Sequence, residues 1–173
     1  FYYGNTDWAH QNWYATRNRF DPEGQWRYHS WDAEKGMQRL NDNAVGKDDG
    51  YGSPTYLHQK LRSNAEYRLL FADHVYRHFF NGGVLTVEGA IALYQHRLDV
   101  VDRAVVCESA RWGDNRIEQG GVRYTRDVHW IAQRNWLLGT YFPQRTGIVF
   151  NQIKSAGLYP DIAPPEFNSS NGQ

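Results

Sequence analysis

Three helix-start signatures in the middle of the chain set most of what it can fold into. Ser53-Pro54 places a hydroxyl that can accept a main-chain N–H ahead of a proline at the first helical position, where the missing donor costs nothing. The helix it opens is predicted to reach about Arg62. Asn64 precedes a second periodic stretch, in which Leu70, Phe71, His74, Val75, His78 and Phe79 fall on one helical stripe. Asn81-Gly82-Gly83 stops it, and Thr86 opens a third, through Ile91, Tyr94, Leu98 and Val101 and on toward Trp112. Gly113 to Gly121 reads as a loop. Thr125, with Asp127 in the first turn, opens a stretch carrying Trp130, Ile131, Trp136, Leu137 and Leu138. A last helix is predicted from about Pro143 through Ile148, Val149 and Ile153 to Gly157.

Ahead of residue 53 the pattern changes. Phe1-Tyr2-Tyr3 is strand-like and runs into a polar, aromatic loop and short helix from Asn5 to Arg17. Asp21-Pro22-Glu23-Gly24 is a turn, and Gln25 to Trp31 is a short strand, with Trp26 and Tyr28 on one face, that delivers Asp32. Asn41 to Gly52 is polar and glycine-rich and reads as a flexible surface loop. The expected fold class is α+β and predominantly helical, with a small β-hairpin at one edge and no internal repeat.

At 173 residues the chain can bury one core, and its seven Trp, twelve Tyr and eight Phe argue for a compact, aromatic-rich domain. Nineteen basic residues balance nineteen acidic ones without a basic stripe, so neither nucleic acid nor an anionic membrane is expected as a partner. The longest apolar runs are a few residues, so no membrane insertion is expected. One cysteine, Cys107, excludes an intramolecular disulfide and a Cys-based zinc site; a half-buried helix position is expected for it. Residues 161–173, rich in Pro, Asn and Ser, read as a linker to a further domain, and the chain reads as part of a longer protein.

The segment that carries chemistry is Gly4-Asn5-Thr6-Asp7-Trp8-Ala9-His10-Gln11-Asn12-Trp13. An acid and an amide five residues apart on a tight loop are what a kinase site needs: Asp7 to align the attacking hydroxyl and accept its proton, Asn12 to offer an oxygen to a divalent ion. The strand then brings Asp32, a carboxylate suited to a hard cation such as Mg²⁺ and the phosphate oxygens it bridges. Singly each of these residues reads equally as a turn or cap residue; the combination of D-x4-N, a Pro-Gly turn, an aromatic strand and Trp31-Asp32 is much rarer. Glu34 is a possible further metal ligand or a solvated acid. His10 could orient the loop. His74 and His78 have metal-ligand spacing but lack the glutamate of a zinc-protease helix, and amphipathic packing explains them better.

GNTDWAHQNW followed by GQWRYHSWDAE resembles the catalytic core of the spore-coat CotH kinases, an atypical protein-kinase-like family. SPTYLHQKLRSNAEYRLLFADHVYRHFFNGG and RYTRDVHWIAQRNWLLGTYFPQRTGIVFNQIKSAGLYP are similar in style to its helical C-terminal part, so the resemblance spans residues 1–160. It implies a kinase-like C-terminal lobe with the hairpin at the active-site edge. It also implies Asp7 as the catalytic-loop aspartate, Asn12 and Asp32 as metal-binding residues, ATP and Mg²⁺ or Mn²⁺ as cofactors, a Ser/Thr acceptor on a protein substrate, and a place on a bacterial cell surface or outside the cell. The 25 residues from Asp7 to Asp32 exceed the corresponding gap in ordinary protein kinases, and no glycine-rich phosphate loop or strand lysine is present. The chain by itself is therefore expected to be inactive, its nucleotide-binding lobe lying upstream. Two other readings stay open: a catalytically inactive surface or adhesion module whose Trp8, Trp13, Trp26 and Trp31 stack on sugars or fill a core, and a metal-dependent phosphoesterase, for which further His and Asp ligands are lacking.

Overall fold

The computed structural model describes residues 1–118 and 120–162. Its elements are a two-stranded antiparallel sheet, β1 (Trp13–Thr16) and β2 (Arg27–Ser30), followed by helices α1 (Pro54–Leu61), α2 (Ala65–Phe79), α3 (Val87–Trp112), α4 (Ile131–Trp136) and α5 (Phe142–Ser155). The fold is α+β and predominantly helical. The tail from residue 163, read as linker, lies outside the described residues. No described helix is long and apolar enough to cross a membrane.

All three N-caps form. Ser53 Oγ accepts the Tyr56 N–H at 3.0 Å, Asn64 Oδ1 accepts that of Tyr67 at 2.9 Å, and Thr86 Oγ1 accepts that of Gly89 at 3.1 Å. Each bond satisfies a donor that the first helical turn cannot. The last two predicted helical stretches are in fact continuous. From Arg126 the chain stays helical through Ser155, with wide turns at Arg126–Trp130 and Leu137–Tyr141. Pro143 lacks an N–H, and the wide turn just before it, where the Phe142 N–H reaches back to the Leu137 carbonyl, carries the helix through instead of ending it.

The stripe expected on α2 meets the core along one edge only: Leu70 is 55% exposed and His74 is exposed, while Val75 and Phe79 are buried. They pack with Val149 and Ile153 of α5, and with Val45, Leu158 and Tyr159. A second cluster joins Ala90 of α3 to Leu137, Tyr141 and Phe142. Residues 41–52, expected as a flexible surface loop, are anchored: Val45 enters the core, and Gln59 Nε2 donates to the Val45 and Lys47 carbonyls at 3.0 Å each. Cys107 is exposed rather than half-buried.

The N-terminal segment departs most from expectation. Phe1-Tyr2-Tyr3 is a turn closed by the Gly4 N–H on the Phe1 carbonyl at 3.0 Å, not a strand. Residues 5–17 form turns and then β1, with no helix. What decides their course is Arg145 on α5, which has no exposed surface. Its Nε donates to the Tyr2 carbonyl at 2.6 Å, Nη1 to that of Leu40 at 2.6 Å and Nη2 to that of Phe1 at 3.3 Å. Its guanidinium also lies 5.6 Å from the Tyr141 ring centre. No carboxylate pairs with it among the described residues, so main-chain carbonyls and an aromatic face supply its compensation. Burial pushes the Tyr141 hydroxyl up to about 12, which keeps it a donor to the Tyr2 carbonyl at 3.4 Å. Gly4 sits at φ +63°, and a Cβ there would come within 2.8 Å of Asp42 Cβ, so only glycine lets the segment turn away beside the arginine.

Arg145→Ala should strand buried carbonyls and lower stability by about 3 kcal/mol or more in urea unfolding, with Arg145→Lys recovering only part because it lacks the planar fork. His58, 8% exposed, packs against Phe1 and Phe71 and shares a 2.6 Å hydrogen bond between its Nδ1 and the Tyr67 hydroxyl. Burial first, then the nearby Arg62 charge, push its pKa down to about 4. The ring stays neutral in the folded chain while the unfolded chain protonates it near 6.5, so the unfolded state binds more protons between these values. Stability should therefore fall by up to about 1.4 kcal/mol per pH unit as pH drops from about 6.5 toward 4. His58→Gln should flatten that slope in pH-resolved thermal melts.

Candidate functional site

Asp7 and Asn12 lie on one folded-back loop, and Asp32 follows the strand beside it. The Asn12 N–H closes the loop on the Trp8 carbonyl at 2.8 Å. Two asparagine side chains then grip Asp7 by its main chain. Asn5 Oδ1 accepts the Asp7 N–H at 2.9 Å, and Asn12 Nδ2 donates to the Asp7 carbonyl at 2.9 Å. Asn5 and Asn12 are 3% and 6% exposed, whereas the Asp7 side chain is 28% exposed. The carboxylate thus projects from a backbone held at both of its polar groups. With Nδ2 committed to Asp7, Asn12 Oδ1 occupies the other branch of the amide and accepts no hydrogen bond among the described residues.

The hairpin supplies the third residue. Trp13 pairs with Ser30 and Thr16 with Arg27, and the Trp31 N–H adds one more bond to the Asn12 carbonyl at 3.1 Å. That bond brings the residue next to Asp32 against Asn12. Asp32 itself adopts φ +51°, a left-handed conformation that Asp tolerates better than most residues and that turns the chain out of the strand. Its side chain is exposed and makes no hydrogen bond or ion pair among the described residues. The structure therefore joins Asp7 to Asn12 directly, and Asp32 to them through the main chain.

No group of three or more His, Cys, Asp and Glu side chains among the described residues could enclose a metal ion. Two carboxylates and an amide oxygen are donors of the type taken by Mg²⁺ or Mn²⁺, hard ions that bind through one or two carboxylates and complete their shell with phosphate and water oxygens. Glu34 is exposed and joins no such group. His74 and His78 stack on each other at 6.1 Å on α2.

His10 lies between two acids, its Nε2 3.4 Å from Asp7 Oδ1 and its Nδ1 3.9 Å from Asp49 Oδ1. Asp49 is fixed in turn by the Thr55 hydroxyl at 2.9 Å and by the Lys47 ammonium. Sequence reading missed both Asn5 and Asp49. Asn5 carried a local signal, since an Asn two residues before the acid is the pattern of a side chain that caps the next-but-one N–H. Asp49 carried none, because only folding brings residues 41–52 to the loop. Beside the loop, Tyr3, Asn5, Trp8, Tyr28 and Ser30 help line a cleft of about 150 Å³. The four tryptophans divide: Trp8 and Trp13 are half-buried, whereas Trp26 and Trp31 are 60% and 58% exposed and fill no core.

Compared with known proteins, the chain matches no family model, no curated protein and no solved structure.

Asn12→Ala and Asn5→Ala each remove a buried partner of the Asp7 main chain and should each cost about 1–3 kcal/mol in chemical denaturation. Asp32→Asn, at an exposed side chain, should change stability by less than about 0.5 kcal/mol.

Proposed function

We propose that this chain carries the acceptor-positioning and metal-holding edge of an atypical protein kinase of the CotH type, which transfers the γ-phosphate of ATP to Ser or Thr of secreted or bacterial surface proteins. One observation carries the reading most: the Asn12 Nδ2 bond to the Asp7 carbonyl, which holds on one loop a part-exposed carboxylate and an amide oxygen that accepts no hydrogen bond among the described residues. The resemblance of GNTDWAHQNW and GQWRYHSWDAE to CotH kinases supports the same assignment.

In this reading Asp7 orients the acceptor hydroxyl and takes its proton as the oxygen attacks the γ-phosphorus and the bond to the ADP oxygen breaks. Asn12 and Asp32 offer the oxygens that would hold Mg²⁺ or Mn²⁺, which supplies charge neutralisation at the phosphates. His10, with Nε2 3.4 Å from Asp7 Oδ1, would help to orient that carboxylate. The sequence contains no glycine-rich phosphate loop, so the chain alone is expected to transfer no phosphate.

A second reading, an inactive surface module that keeps the fold for binding, is favoured by the hairpin region, where Tyr14, Phe20, Trp26, Tyr28 and Trp31 are each at least 45% exposed.

Mn²⁺ titration of the chain, followed by the ion's paramagnetic resonance, should show weak saturable binding that Asp32→Asn reduces at least about tenfold. In a longer protein that includes a nucleotide-binding lobe, Asp7→Asn should abolish phosphate transfer to Ser/Thr while leaving the melting temperature within a few degrees. Transfer retained in that variant would remove Asp7 from the chemistry, and Mn²⁺ binding indifferent to Asp32 would favour the inactive module.

A further inference from the structure

At the opposite end of α3 from its Thr86 cap, the chain forms a second recess that the kinase reading does not use. It has a volume of about 260 Å³ and lies between the last turn of α3 and the segment entering the final helical run. Its walls are tied together. The Tyr124 N–H donates to the Gly113 carbonyl at 2.9 Å, and a Cβ on Gly113 would run into the Tyr124 carbonyl oxygen, so glycine permits this approach. Arg126 forks onto Asp102 of α3, Nη2 lying 2.6 and 2.8 Å from its two carboxylate oxygens. Such a recess is formed before any ligand arrives, which lowers the ordering cost of binding.

The lining combines aromatic faces with unsatisfied polar groups. Trp112 and Tyr124 are 52% and 51% exposed, a large apolar area left open to water. The Thr125 N–H donates to His129 Nδ1 at 3.1 Å, so the neutral ring carries its proton on Nε2, a donor with no protein acceptor among the described residues. The Thr125 hydroxyl is buried without a partner. Glu108 and Asn115 add an acceptor and an amide.

We propose that this recess binds one neutral, hydroxyl-rich sugar ring. A ring of this kind places C–H groups on an aromatic face and hydroxyls toward donors and acceptors of both kinds, which is the mixture present. The Glu108 carboxylate opposes an anion. Arg111 lies 5.0 Å from the Trp112 ring centre, and Arg126 and Arg134 lie 5.7 and 5.6 Å from that of Trp130, so a cationic ligand meets like charge. Tyr124 and His129 are tilted by 42° at 4.5 Å and form no parallel slot for a nucleobase.

The test is a titration of the chain with methyl β-glucopyranoside, N-acetylglucosamine and their short oligomers, read by tryptophan fluorescence and by saturation transfer to sugar protons. Saturable binding is expected for at least one of them, weakened at least about tenfold in Trp112→Ala and in Tyr124→Ala, two exposed positions whose truncation leaves the fold intact. Trp26→Ala, on the hairpin loop, should leave it unchanged. No saturable binding of any of these sugars, binding indifferent to Trp112 and Tyr124, or loss of binding in Trp26→Ala would each overturn the proposal. Adenosine bound at the recess in place of the sugars would overturn it as well.

Discussion

Arg145 ties the edge that holds the Asp7 loop and the hairpin to the helical body of this protein. It is wholly buried on α5, yet its guanidinium contacts residues more than a hundred positions earlier, the carbonyls of Phe1, Tyr2 and Leu40. A charge in that position is expensive unless its donors are met, and a planar fork meets three carbonyls on diverging strands of chain where an ammonium would not. The first four residues and the segment around residue 40 are the two ends of the excursion that holds the Asp7 loop and the hairpin. Pinning both ends at one side chain closes a long loop and makes the excursion part of the domain.

From that anchor the site is built by short-range devices. Gly4 turns the chain at a backbone angle other residues avoid, Asn5 and Asn12 hold the Asp7 peptide groups, and the Trp31 bond to Asn12 carries the strand past the loop. Buried amides are effective here because each satisfies a main-chain group that would otherwise be lost to solvent. The result is a carboxylate on a rigid support, which positioning chemistry requires. The hairpin beyond it is less committed: its outer faces remain in water, and contacts such as Tyr14 on His29, 4.8 Å apart, stabilise it from within. Packing energy is thus concentrated in the α2–α5 core, and the hairpin relies on its own ladder and on the loop to which it is joined.

Much of the helical fold was legible because its signals are local. A capping side chain and the N–H it accepts are three residues apart, so Ser53, Asn64 and Thr86 announce their helices without knowledge of anything distant. Asp7 and Asn12 were legible for the same reason, five residues apart on one turn. Phe1-Tyr2-Tyr3 was misread because an aromatic run satisfies strand propensity, whereas the carbonyls there were claimed by Arg145. Pro143 was misread as a start because the wide turn that absorbs it depends on packing of Leu137 and Tyr141 in the core.

By itself, the sequence determined a helical domain after residue 53, the strand that ends before Asp32, and the grouping of Asp7 with Asn12, since each rests on signals reaching only a few residues. The tertiary structure alone decided that Arg145 would be the buried anchor, that Asp49 would face His10, and that Trp13–Thr16 would pair with Arg27–Ser30. These are contacts between segments separated along the chain, and no local pattern records which partner a buried donor, acid or strand will find.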